Sequence, residues 1–324
     1  MRATADHGDP DAQLALSKAY ESGNGVTQDD QQAAMWCRKA AEQGNAVAQN
    51  DLGIMYREGR GVPRNKEEAV KWYRKAAYRK DPVAMFNLGA AYYNGDGVEI
   101  DDIAAYAWFA LGAEAGSQSA QDALAREEAE IPHRVGEGLE RVAAMLQEGT
   151  DLPKDVSAAA AWLRKAAQRD DAEAQLKLAT LLVRGEGVAQ NYSEAHHWCE
   201  QAAQRQVGGL YCLGFMSQQG LGVPVDLAAA RQKYAQAAKM MHPAGMFAYA
   251  QMCRDGQGGK QDYVEAFFWF VMAAKEGNQQ GLRAAADLEP KLTKKDRAKA
   301  DNALRARNLD PQKVSALLRK GSLN

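Results

Sequence analysis

His196 and Cys199 stand three residues apart, and Cys212 follows on the next predicted helix. Donors at i and i+3 share one helix face, which is how two zinc ligands are supplied, and a third sulfur could approach them from the neighbouring helix. The set has no clear fourth ligand, and a His and a Cys beside a core tryptophan, Trp198, read more simply as packing and surface residues. No metal and no cofactor are expected. His7, His133, His196, His197 and His242 are scattered, and the H-E-x-x-H, G-x-S-x-G and P-loop patterns do not occur. A nucleophile, a base and an oxyanion site do not converge, so no catalytic residue is assigned. Paired glycines, G-x-G, recur along the chain, but they follow helical patterns rather than strands, which removes the physical basis of a dinucleotide fingerprint. Cys37, Cys199, Cys212 and Cys253 fall at unequal places in the recurring pattern and are read as free thiols.

The totals narrow the function classes further. A chain of 324 residues that is 46% hydrophobic and 25% charged has the composition of a folded soluble protein. No run approaches the ~20 apolar residues of a membrane span. A net charge of -2 supplies no field for collecting phosphate backbones, so nucleic acid is not an expected partner. The opening "MRATADHGDPDAQ" has no apolar stretch and lies over "CRKAAEQGNAVAQ", with Arg2 over Arg38, Gly8 over Gly44 and Ala12-Gln13 over Ala48-Gln49. The chain therefore reads as a trimmed piece opening in the last turn of a repeat, and cytoplasm or periplasm is left undecided.

The phrase W-x-x-x-A-A, or a close variant, is anchored at Trp36, Trp72, Trp108, Trp162, Trp198, Lys233 and Trp269, with gaps of 36, 36, 54, 36, 35 and 36 residues. Before each anchor sits a turn position, Gly25, Gly61, Gly97, Asp151, Gly187, Gly222 or Gly258, with another glycine two residues earlier. Self-similarity at this period is the signature of a solenoid. Each copy holds two helical patterns. In "NAVAQNDLGIMYREG", Ala48, Leu52 and Tyr56 recur at a spacing of four beside Met55, giving helix A one apolar face. In "NKEEAVKWYRKAAYR", Ala69, Trp72, Tyr73, Ala76 and Ala77 make the face of helix B, and Lys66, Glu67, Lys71 and Arg74 decorate the other side. The glycines reverse the chain between them. A single pair cannot cover both its apolar faces, so neighbouring pairs must stack. The lysines and arginines of "WCRKAAEQG", "WYRKAAYRK" and "WLRKAAQRD" form a basic stripe, read as a solvated outer face.

The motifs A-x-A-x-x-x-L-G-x-x-Y-x-x-G-x-G-V and D-x-x-x-A-x-x-W-x-x-K-A-A-x-x-G resemble the Sel-one-like repeat, a relative of the tetratricopeptide repeat, from residue 1 to about 278. The resemblance implies an all-α fold, a right-handed α/α superhelical solenoid of about seven helix-pair repeats, and a non-catalytic role in protein–protein contacts, often as a bacterial adaptor in signalling or envelope assembly.

Departures from the pattern carry information. Asp151 in place of glycine predicts a distorted or differently capped fourth turn. Lys233 replaces tryptophan, and Tyr234 is expected to restore the lost bulk. The long gap adds a helix, a break at Pro132 and then the first helix of repeat four; laid over the tail, Gly116 meets Gly277 and Ile131-Pro132 meets Leu292-Thr293. The expected segments are repeats one to three over 1–116, the inserted helix and the first helix of repeat four over 117–148 with a bend, the remaining repeats over 149–278, and a helical cap over 279–324.

In the related tetratricopeptide solenoids helix A lines the concave surface. The resemblance then selects Asn50, Arg57, Phe86, Tyr93, Tyr211, Phe215, Phe247 and Arg254 as partner-binding residues, aromatic anchors and guanidinium forks for a protein or peptide. A competing outcome is that curvature buries these rings between repeats. A monomer is expected. The alternatives are a thiol-dependent hydrolase, which needs a cysteine of depressed pKa beside a base, and a carbohydrate-binding envelope protein using the same aromatics.

Overall fold

The second helix of every copy starts behind an acid or amide: Asp29, Asn65, Asp101, Asp155, Asn191, Asp226 and Asp262 each accept a hydrogen bond from a first-turn N–H. These are the side chains best able to satisfy the orphan donors of a helix start. The first helix of every copy ends in glycine, at Gly23, Gly59, Gly95, Gly149, Gly185, Gly220 and Gly256, with φ between 69° and 78°. The chain is thus cut into helices of nearly equal length by caps at both ends.

The computed structural model describes residues 2–130 and 132–321. Ile131, whose alignment with Leu292 is part of the sequence reading, lies outside the described residues, as does the side chain of His133. Two compact units, Met1–Arg169 and Asp170–Asn324, are formed. The first holds α1 (Arg2–Asp6), α2 (Pro10–Ser22), α3 (Asp30–Glu42), α4 (Ala46–Glu58), α5 (Lys66–Tyr78), α6 (Pro82–Asn94), α7 (Asp102–Glu114), α8 (Gln118–Glu130), a 3₁₀ turn (Pro132–Arg134), α9 (Val135–Glu148) and α10 (Val156–Ala167). The second holds α11 (Ala172–Arg184), α12 (Tyr192–Ala203), α13 (Val207–Gln219), α14 (Leu227–Lys239), α15 (Pro243–Asp255), α16 (Tyr263–Lys275), α17 (Gln279–Leu288), a 3₁₀ turn (Glu289–Lys291), α18 (Lys294–Arg305) and α19 (Pro311–Gly321). No strand occurs among the described residues.

In copies two, three and six, helix A meets helix B at one glycine. A Cβ on Gly53 would lie 2.5 Å from the Tyr73 ring, one on Gly89 2.6 Å from Phe109, and one on Gly214 2.7 Å from Tyr234. The ring after the tryptophan anchor fills the notch that the missing Cβ leaves. Tyr234 therefore occupies the same place as Tyr73 and Phe109, and is not a replacement for the tryptophan that Lys233 displaces. Between copies the second turn glycine is the closest approach: a Cβ on Gly61 would sit 1.9 Å from the Asp30 carbonyl of the preceding helix B, and one on Gly258 2.0 Å from that of Leu227. Positive φ and lack of room together exclude any side chain there. Asp151 is not among the positive-φ residues, and its carboxylate faces Arg74 of α5, Oδ1 to Nε 3.9 Å. The fourth turn departs from the others, as the sequence predicts.

The basic stripe is built into the repeat stack rather than only solvated. Arg38 and Arg74, two residues past their tryptophans, donate to the hydroxyls of Tyr56 and Tyr92 on the next helix A. Lys39, Lys75 and Lys165, three past, place their ammonium groups 4.0, 3.8 and 3.7 Å from the ring centroids of Trp36, Trp72 and Trp162.

The inserted helix α8 continues the register of helix A, with Ser117 Oγ accepting from the Ala120 N–H. It packs on α7 and α6, where Ala123 joins Phe109 and Ala105 against Phe86, Ala90 and Tyr92. The tail repeats this arrangement: α17 and α18 pack on α16, and Arg297 of α18 binds Glu289, Asp301 (2.8 Å) and Ser315 while its guanidinium lies 5.1 Å from the Phe267 ring.

Candidate partner-binding face

The eight residues selected on helix A divide by burial. Asn50 of α4 is only 4% exposed, accepts from Asn87 Nδ2 at 2.8 Å and offers no free surface. Phe86, Tyr211 and Phe247 are half-buried, each tilted onto the ring that follows the helix-B anchor of its own copy: Phe86 on Phe109 at 5.8 Å, Tyr211 on Tyr234 at 5.6 Å, Phe247 on Phe270 at 5.5 Å. Tyr211 also stacks on His242 at 5.4 Å. Tyr93 and Phe215 are the exposed pair, at 46% and 39%.

The two arginines stand at the end of helix A with partners of their own. Arg57 Nη2 donates to Glu58 at 2.9 Å, and Arg60 Nε donates to the same carboxylate at 2.7 Å. These bonds, Arg57 first, hold the Glu58 carboxyl below its usual pKa. Arg254 grips Asp255 with two bonds of 2.7 and 2.9 Å, which lowers the Asp255 pKa. An incoming carboxylate must compete with these neighbours. Gln218, one turn beyond Phe215, accepts from the Tyr234 hydroxyl at 3.0 Å.

The cysteines correct the sequence reading. Cys199 of α12 and Cys212 of α13 form a disulfide with Cα atoms 5.9 Å apart, so they are not free thiols and not a zinc pair. His196 sits 3.7 Å from Glu200 instead. Among the described residues no group of three His, Cys, Asp or Glu could hold a metal ion. Cys37 and Cys253 are free and buried. Burial pushes the Cys37 thiol up to about 12 and raises that of Cys253 even though Arg231 Nη2 lies 3.3 Å from its sulfur. Both shifts run against nucleophilic use of these thiols.

Some residues of this face escaped sequence reasoning. Asn87, which closes over Asn50, carried no signal. The arginine–tyrosine links did: tyrosine stands four residues after the helix-A leucine at Tyr56 and Tyr92, where the preceding copy has arginine two past its tryptophan.

The Sel1 repeat profile matches seven segments, 10–45, 46–81, 82–117, 136–171, 172–207, 209–240 and 243–278. The chain belongs to the Sel1 repeat family. The unmatched stretch between the third and fourth Sel1 repeats contains α8. Among solved structures, a protective antigen of uropathogenic Escherichia coli strains displaying an SLR fold is 27% identical, with a TM-score of 0.48, over 99% of this chain and 78% of that one. A Sel1 repeat protein from Oxalobacter formigenes is 26% identical, with a TM-score of 0.43, over 86% and 76%. No curated protein sequence matches significantly. Sel1 repeat proteins generally mediate protein–protein contacts. No helix of the described residues is long and apolar enough to cross a membrane.

Proposed function

We propose that this Sel1 repeat protein is a non-catalytic adaptor, monomeric in its free state, that holds a protein partner on the helix-A face of its repeats, in bacterial signalling or envelope assembly. The supporting observation is the exposure of Tyr93 and Phe215 on helix A, while most of the large apolar side chains around them are at least half-buried. An exposed ring costs little to remove from the free protein, yet aromatics anchor interfaces. Arg57 and Arg254 supply guanidinium groups at the same end of their helices, and Phe86, Tyr211 and Phe247 add half-buried rings to the same set of helices. Asn50 acts inside the repeat stack.

The test is the double variant Tyr93→Ala, Phe215→Ala against the wild type. Its circular dichroism and urea midpoint are expected to stay within about 0.5 kcal/mol per site of the wild type. Affinity for a partner captured by the wild-type protein is expected to fall at least thirtyfold, an interface anchor being worth about 2 kcal/mol or more. Equal affinity of the two proteins removes the helix-A reading.

A further inference from the structure

Three buried polar atoms on neighbouring elements of the first unit have no hydrogen-bond partner: Gln49 Oε1, Trp72 Nε1 and Arg74 Nε. All three residues line one open cavity of about 560 Å³, bounded by the α3–α4 turn, the second half of α5 and the α9–α10 turn. Tyr73 Oη and Gln206 Oε1 are also unpaired but do not line this cavity, and counterparts of Gln49 and Trp72 in other copies are satisfied. Gln13, the copy-one equivalent of Gln49, accepts from Gln43 Nε2 at 2.7 Å; at the place of Gln43 copy two has Arg79, whose guanidinium lies against Gly44, with Nη2 2.6 Å from where a Cβ would stand. Trp198 and Trp269 donate to the glutamate four residues earlier, at 3.2 and 2.8 Å; the glutamate in that place for Trp72, Glu68, is held by Lys71 at 2.9 Å. Gln49 cannot exchange its amide ends freely, because its Nε2 is tied to the Ala41 carbonyl at 3.0 Å. The convergence of one acceptor and two donors is thus particular to this cavity.

We propose that this cavity binds an extended segment of another polypeptide that carries a carboxylate side chain. One extended residue, whose N–H and C=O point to the same side, answers both kinds of orphan, its N–H donating to Gln49 Oε1 and its C=O accepting from Trp72 Nε1. Arg74, Lys75 and Arg79 stand against Glu42 and Asp151 around the opening, so cations are in excess for an acidic side chain, which Arg74 takes. The half-exposed Tyr78 ring offers an apolar platform at the rim. Lys75 covers the Trp72 ring in the free protein and swings aside on binding, and Asp151, 3.9 Å from Arg74 Nε, competes with the incoming carboxylate. The site shares none of its lining with Tyr93 or Phe215, and its fate is separate from that of the helix-A face.

The six tryptophans give six indole signals in a ¹⁵N-labelled sample, and Trp72→Phe assigns the one that matters. The capped peptide acetyl-Ala-Glu-Ala-amide is expected to shift the Trp72 indole downfield and leave the other five in place. The Gln-for-Glu peptide should bind severalfold more weakly, and Gln49→Met should weaken both peptides about tenfold with the other indole signals unchanged. Asp151→Asn should bind the acidic peptide severalfold more tightly, a gain that misfolding does not produce. An unmoved Trp72 signal at millimolar peptide, an unchanged affinity in Gln49→Met, or no gain in Asp151→Asn overturns the proposal. So does succinate alone matching the acidic peptide, which makes the cavity a plain anion site.

Discussion

Gly53, Gly89 and Gly214 face Tyr73, Phe109 and Tyr234. Where the first position of this pair carries a Cβ, the second is mostly smaller: Ser17 with Cys37, Ala143 with Leu163, Ala179 with Cys199, against the single large pair Ala250 with Phe270. Volume is conserved across the helix contact, as close-packed interiors require. Gly53→Ala is therefore expected to destabilise by about 1–3 kcal/mol, and adding Tyr73→Leu to cost less than the sum of the two single changes; a urea double-mutant cycle measures the difference. His242 gives a second residue-scale test. Its Nδ1 accepts the Gly245 N–H at 3.1 Å, capping α15 in place of the Asp or Asn seen in most other copies, and burial lowers its pKa. A cap that must stay unprotonated binds fewer protons than the unfolded chain. Its contribution is complete above the unfolded value of about 6.5 and is lost as the pH falls through the lower folded value. Urea midpoints at pH 7.5 and 5 should show the loss, and His242→Asn, which caps without titrating, should reduce it.

At the scale of elements, the junction of α12 and α13 has the weakest local instructions. The stretch from the helix-B anchor to the start of the next helix A is one residue short, and Gln206 makes no side-chain cap for α13. The Cys199–Cys212 disulfide ties the two helices there, 13 residues apart. Reduction by dithiothreitol should lower the stability of the second unit by about 2–4 kcal/mol, read as a shift of the urea midpoint that a Cys37→Ala, Cys253→Ala background retains. This bond was hidden from the sequence because Cys199 follows the tryptophan of copy five while Cys212 precedes the leucine of copy six; unlike positions in different copies do not align. Helix boundaries were legible because Asp29, Asn65 and their equivalents, together with the turn glycines, act locally through caps and φ. Asn50 was misjudged for the opposite reason: its burial depends on Asn87, 37 residues away. The exposure of Tyr93 and Phe215 beside half-buried Phe86 and Tyr211 also depends on neighbours that helical spacing alone does not reveal.

Over the whole chain, the same three-helix device appears once inside the first unit and once at the end of the second. After α7, α8 continues the helix-A register and α9 then docks on α7; after α16, α17 does the same and α18 docks on α16. The outcomes differ by composition. Val135, Leu139, Val142, Ala143, Met145 and Leu146 are buried on α9, which goes on to pair with α10, while α18 buries only Ala300 and Leu304 and turns lysines outward as a polar cap. On the proposed reading, a partner engages helix-A surfaces of these units. Amide hydrogen exchange of the protein with and without that partner tests this most directly. Slowed exchange in Pro82–Asn94 and Val207–Gln219, with Tyr192–Ala203 and Leu227–Lys239 unchanged, is the predicted result; protection confined to those helix-B segments would contradict the account.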